Sequence, residues 1–168
     1  ADGIIIDGEI ICTKKDFEEF SDEYANPRNF ASGSIRLLDA KECSKRKLRF
    51  IAWEVIEGFE DLNSLSKKLI NLSNYGFIIV PNCLGPALDA NGNTVSNDLF
   101  IEHLTYLADQ FSYPIDGIVF KFDDVEYGRS LGQTSHHFKN AMAFKFADDT
   151  YPTVLKDIEW TMGRTGVL

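Results

Sequence analysis

The chain has 168 residues, enough for one domain with a core of its own. Its 44% hydrophobic content is that of a globular protein, and no run approaches the ~20 apolar residues of a membrane span. A net charge of −9 excludes a whole-surface nucleic-acid binder, so such contacts must come from local clusters such as Lys45-Arg46-Lys47 with Arg49. Alone, that run reads as a solvated helix end. No signal peptide opens the sequence, which makes the cytoplasm the expected compartment, with no membrane partner and a monomer as the expected state. Cys12, Cys43 and Cys83 are widely spaced without a C-x-x-C pair, and read as reduced thiols rather than a zinc site.

Residues 4–12 (IIIDGEIIC) are β-branched and predict a buried strand, followed by a short acidic helix over 15–23. Asn26-Pro27 supplies an N-cap with proline at the first helical position, opening a helix through roughly Arg36. Residues 47–57 predict a second strand. Two amphipathic helices follow: Leu62, Leu65, Leu69, Ile70 and Leu72 form one apolar stripe, and Leu99, Phe100, His103, Leu104 and Leu107 the other. A strand near 77–81 lies between them, then a Gly/Asn/Pro-rich loop, 82–97, which is the expected mobile segment. Strands over 115–122, 141–147 and about 152–162 complete an α+β fold with a mainly antiparallel sheet. The sequence stops at Gly166-Val167-Leu168 without a turn or cap, so a chain cut from something longer is expected.

Ionisable residues sit inside otherwise apolar strands: Glu9 in IIIDGEIIC, Lys121 in IDGIVFKF and Lys145 in AMAFKF. Such groups are rarely buried unpaired, because desolvating a charge is costly. Parity places Lys121 with Val119 and Gly117, opposite Ile118, Phe120 and Phe122; Lys145 shares a face with Ala141 and Ala143, opposite Met142, Phe144 and Phe146. One face of each strand is expected to be core. The other combines small residues with a lysine and leaves room for an anionic ligand, phosphate being the simplest. Arg28 and Arg36, a little over two helical turns apart, can point to one side, and guanidinium forks match phosphate oxygens. Asp116 and Glu9 are candidates for a divalent cation or ribose hydroxyls; magnesium takes few carboxylates plus substrate phosphates. The tandem His136-His137 reads as solvated, and Trp53 and Trp160 as core or sheet-packing residues.

These segments resemble, in order and spacing, the adenylation domain of the NAD-dependent DNA ligases. Asp7-Gly8-Glu9 looks like the family's G-E strand. Ala25-Asn26-Pro27-Arg28-Asn29 through Gly33-Ser34-Ile35-Arg36 resembles its A-N-P-R-N…G-S-x-R segment, the most specific of the set. Ile115 to Lys121 is similar to D-G-V-V-x-K, Ala143 to Phe146 to A-F-K-F, and Gly163-Arg164-Thr165-Gly166 to the G-R-T-G entering the OB-fold. The resemblance implies a nucleotidyltransferase fold truncated at both ends: a partial adenylation domain over 1–150, and over 151–168 its final strand and the start of the connection to an OB-fold.

It also implies NAD, through its AMP moiety, and Mg2+ as cofactors, with nicked duplex DNA as partner. A lysine would attack the α-phosphorus of NAD, pass AMP to a 5′-phosphate, and the 3′-hydroxyl would seal the nick. Carried over by position, Glu9 would meet the ribose or adenine and Val119 the base. Lys121 would approach the ring edge or α-phosphate, and Lys145 the α-phosphate. Arg28, Arg36 and Arg164 would contact phosphate or DNA, and Asp116, with Glu9, would support the metal. Lys121, Lys145, Arg28 and Arg36 are thus expected around one AMP-shaped cleft.

Three positions depart from the family pattern. No lysine stands in the nucleophile motif K-x-D-G; Lys121-Phe122-Asp123-Asp124 lacks its glycine, and Ala1-Asp2-Gly3 would fit only its tail. Ala108 stands where an arginine is frequent, and Asp7 replaces another, which brings Asp-Gly-Glu closer to ATP-dependent ligases. An ATP-dependent polynucleotide ligase, a capping-type nucleotidyltransferase, and a non-catalytic module for adenine nucleotide or DNA are the alternatives.

Overall fold

β-Branched runs that alternate with charged residues form the central ladder. In the computed structural model, which describes residues 3–85, 91–93, 96–135, 137–147, 152–162 and 166, β1 (Ile5–Ile11) pairs antiparallel with β2 (Arg49–Glu57). The short β3 (Ile78–Ile79) joins β2 in parallel, giving the order β1-β2-β3. A separate antiparallel ribbon consists of β4 (Gly117–Lys121) and β5 (Ala141–Lys145). An α+β architecture rich in antiparallel pairs therefore stands.

In β1-β2 the register steps at Trp53: Asp7 faces Glu54 while Gly8 faces Ala52, so Trp53 is the extra residue of a bulge. Each face of the sheet has its own core. Ala52, Val55 and Leu72 pack with Ile6, Phe59 and Ile79 on one side; Ile51, Ala108 and Tyr113 pack with Ile11 and Val80 on the other. Trp53, expected in a core or in sheet packing, lies in β2 but is 40% exposed, because the bulge sets it outside both clusters.

The acidic helix is α1 (Lys14–Phe17), continued by a 3-10 turn over Glu18–Phe20. The Asn26 side chain accepts from the Asn29 N–H at 2.8 Å and Pro27 opens α2 (Pro27–Ser34), as the cap signals require. Two short helices carried too little periodicity to be foreseen: α3 (Ala40–Ser44), capped by Asp39, and, late in the chain, a six-residue helix over Val125–Ser130 capped by Asp124. The two amphipathic helices are α4 (Leu65–Asn74) and α5 (Asn97–Gln110), and the six-residue helix is α6.

Their apolar stripes are corrected. The inner face of α4 holds Ser66, Lys68, Leu69 and Leu72, while Ile70 faces solvent, because the Lys68 side chain turns inward. Only the C-terminal end of α5 reaches the sheet, through Ala108, so Leu99 and His103 stay exposed. Residues 152–162 form no strand. Their backbone groups find no ladder among the described residues, and Val154, Leu155 and Trp160 are exposed. The loop expectation over 82–97 falls partly outside the described residues. Among those residues no helix is long and apolar enough to cross a membrane.

Lys68 closes the turn after β2. Its ammonium, 1% exposed as a residue, donates to the Gly58 carbonyl at 2.9 Å and lies 3.9 Å from Glu60. Gly58 itself has φ +111°, which a side chain would strain. Replacing Lys68 by methionine keeps the stem and orphans the Gly58 oxygen, so denaturant unfolding should show a loss of about 1–3 kcal/mol. Unchanged stability would show that this clasp contributes nothing.

Candidate functional site

The β4-β5 ribbon carries the site. Its register sets Gly117 opposite Lys145, Val119 opposite Ala143 and Lys121 opposite Ala141. All six residues therefore share one face, with a lysine at each end and small or β-branched residues between. Four residue steps separate the two lysine rows, on the order of 13 Å along the strands. A Cβ at Gly117 would collide with the Phe144 carbonyl and crowd the Lys145 stem, so only glycine admits this pairing. Val119, Lys121, Ala141 and Ala143, with His137, Phe138 and Asn140 from the connection before β5, line an open cleft of about 460 Å³.

The opposite face differs from expectation. Ile118 is buried, but Met142 and Phe144 are exposed and β5 is exposed along its length. A two-stranded ribbon buries only what a second layer covers, and among the described residues none covers β5.

Asp116, at the entrance of β4, is the acid of the site. Its carboxylate accepts from the Lys145 ammonium at 2.8 Å and lies 3.9 Å from the Arg28 guanidinium on α2. The Lys145 hydrogen bond holds the Asp116 pKa below the ordinary carboxylate value against an opposing desolvation, with the Lys145 and Arg28 charges adding to it. At the other end Lys121 is held by Glu54 of β2 at 2.6 Å, both side chains mostly shielded. Just beyond, Asp123 accepts from the Ser64 hydroxyl at 2.7 Å and the Ser66 N–H at 2.8 Å, tying the end of β4 to the start of α4.

The structure thus brings Arg28, Asp116 and Lys145 into one cluster, and puts Lys121 and Val119 on the same ribbon face. Arg36 is not drawn into that cluster. It lies beyond the last turn of α2 and folds back on Ser32, bonding the carbonyl at 3.1 Å and the hydroxyl at 3.0 Å. Glu9 is exposed on β1, in the other sheet from Asp116. Among the described residues no three His, Cys, Asp or Glu side chains gather as a metal cage. Arg164 and His136 lie outside the described residues. The basic run is internally occupied: Lys45 pairs with Glu42, Lys47 with Glu19, Arg49 with Asp16, and Arg46 stacks over Phe20, Tyr24 and Phe30.

Glu54 escaped the sequence reading. Its one sequence signal is an acid between Trp53 and Val55 in an otherwise apolar strand.

A strand face with a cation at each end, each paired with a carboxylate, defines an α+β domain with a charge-bearing face. The chain belongs to the NAD-dependent DNA ligase adenylation domain family, whose model matches residues 1–149. It is 38% identical over 174 residues to the DNA ligase of Brachyspira hyodysenteriae, covering 98% of this chain and 25% of that protein. Against the DNA ligase of Lactobacillus acidophilus identity is 35% over 173 residues, with 98% and 25% covered. Against that of Leptospira biflexa it is 34% over 169 residues, with 97% and 24% covered. The chain spans about a quarter of the length of these relatives.

A carboxyl whose folded pKa is depressed adds stability that is complete above its unfolded pKa and is lost as pH falls through the folded one. The Asp116–Lys145 contact should therefore survive acidification to roughly pH 4 and break only below it. An NMR titration of the Asp116 carboxyl carbon should give a midpoint below 3.8, rising when Lys145 is replaced by methionine. A wild-type midpoint at or above 3.8 would contradict the assignment.

Proposed function

We propose that this chain is the central part of a nucleotidyltransferase-fold adenylation domain, in an enzyme that seals nicks in duplex DNA with NAD. The observation that carries this reading is the ribbon face, where Val119 and Ala143 lie between Lys121 and Lys145 in register. That face is long enough for a nucleoside monophosphate laid along the strands. Family membership supports NAD as the source of that ligand, which we take to be its AMP half.

Each residue then has a physical task. Val119, 64% exposed at the cleft, offers an apolar surface to the base. Lys145 and Arg28 neutralise α-phosphate oxygens, and their shared contact with Asp116 holds both in place before the ligand arrives. Glu9 is free to meet a ribose hydroxyl, and Arg36 and Arg164 serve DNA or phosphate contacts. Lys121 is fixed at the base end by Glu54.

Magnesium, when bound, supplies charge stabilisation on the phosphoryl oxygens. Asp116, beside Lys145 and Arg28, would be the carboxylate offered to it, with Glu9 on the other sheet a second acid within the domain.

Formation of lysyl-AMP joins a lysine Nζ to the α-phosphorus and breaks the bond to the nicotinamide mononucleotide oxygen. No lysine of this sequence stands in K-x-D-G, and Lys121 and Lys145 are already committed to ion pairs on the ribbon face. The enzyme works as a cytoplasmic monomer in DNA replication and repair, a reducing setting that suits three unpaired thiols, of which Cys12 is buried.

Two experiments follow. Incubated with NAD and magnesium, the 168-residue chain should show no covalent AMP adduct by intact mass; a clear adduct would make one of its own lysines the nucleophile. In the full-length protein Lys145→Ala should reduce adenylation by about 10²-fold or more. Retained activity would remove Lys145 from the phosphate site.

A further inference from the structure

The two ends of the ribbon face differ in charge. Where β4 begins, one carboxylate, Asp116, meets two cations, Lys145 at 2.8 Å and Arg28 at 3.9 Å. Where β4 ends, one cation, Lys121, meets Glu54 at 2.6 Å, and Asp7 stands directly across the ladder from Glu54. Counted as ionised groups, the first end is net positive and the second net negative. Like charges directly opposite each other in a ladder are unfavourable. Asp7 and Glu54 are therefore set against local preference, and the Lys121 ammonium offsets part of that cost. The second end is also the more enclosed: the Lys121 and Glu54 side chains are 21% and 30% exposed, against 64% and 61% for Lys145 and Asp116. Charges sheltered in this way act more strongly on a ligand than exposed ones.

We infer that Glu54 is a positioning and specificity-determining residue, which holds Lys121 beside the cleft and keeps phosphate away from that end. The inference rests on the reading of the ribbon face as an adenine-nucleotide site. A phosphate approaching Lys121 would have to displace a carboxylate already at hydrogen-bond distance and would meet the charge of Asp7 behind it. A base makes no such demand. An ammonium has three donors, so Lys121 can keep Glu54 and still donate to a neutral ring nitrogen. The nucleotide is thereby given one direction, with its base beside Lys121 and its phosphate beside Arg28 and Lys145. Asp7, which departs from the ligase pattern at its own position, gains a role as the second negative charge of the base end.

The test is calorimetric titration of the full 168-residue chain with AMP, adenosine and inorganic pyrophosphate, as wild type and as Glu54→Gln. Removing the repelling carboxylate should tighten pyrophosphate binding by about fivefold or more, because like-charge juxtaposition costs several kcal/mol. Adenosine should weaken by about threefold, because Lys121 is no longer held where it meets the base. Glu54→Asp, which keeps the charge, should restore discrimination against pyrophosphate. In a Lys121→Met background, Glu54→Gln should leave adenosine affinity unmoved, which a merely structural role would not do. Pyrophosphate and adenosine affinities both unchanged in Glu54→Gln would overturn the inference. So would equal weakening of all three probes together with a lowered melting temperature. Failure of the wild-type chain to bind AMP would instead overturn the nucleotide reading of the face, and the role of Glu54 with it.

Discussion

The 2.6 Å contact between Lys121 and Glu54 joins the two sheets, and the site depends on that joint. A two-stranded ribbon is marginally stable alone. β4-β5 is such a ribbon, with one face open to the cleft and the other scarcely covered. What keeps it in register with the rest of the chain is a handful of polar ties. Lys121 reaches β2, Asp116 reaches Arg28 on α2, and Asp123 reaches the start of α4. Two of these three ties are made by residues of the candidate site. The placement of the ribbon and the candidate site thus share Lys121 and Asp116, while the bonds of Asn63 to Asp124 and to the Glu126 N–H are further ties outside that site.

An acidic chain can still concentrate cations at one place. The net charge of −9 says nothing of the ribbon, where Arg28 and Lys145 outnumber Asp116. In the basic run the cations are consumed by neighbours: Lys45, Lys47 and Arg49 each have an acid partner, and Arg46 lies over aromatic rings. A second cleft of about 460 Å³, lined by Ile78, Val80, Leu107, Phe111 and Tyr113, has comparable volume but no charged lining residue, and so no purchase on a phosphate.

Much of this was legible in the sequence where the signal is local. Asn26-Pro27 wrote the start of α2, and parity put Lys121 with Val119 and Lys145 with Ala143 before any pairing was known. Gly117 could be read as a motif position, but its reason, the Phe144 carbonyl and Lys145 stem across the ladder, is a tertiary fact. Glu54 was illegible because its partner lies on another sheet. The Trp53 bulge also changes strand parity, so periodicity alone could not say which face Glu54 joins. Lys68 broke the apolar stripe of α4 because a fully buried lysine is tolerable only with the Gly58 carbonyl waiting for it, which no helical pattern announces. The strand expected over 152–162 had the right residues and no described neighbour to pair with.

The most direct measurement is an amide chemical-shift map of the isotopically labelled chain titrated with AMP. Perturbations should concentrate along the ribbon face, at Val119, Lys121, Ala141, Ala143 and Lys145, and extend to Arg28 and Glu54. Shifts confined to Ile78, Val80, Leu107 and Tyr113, or scattered without a centre, would contradict the account.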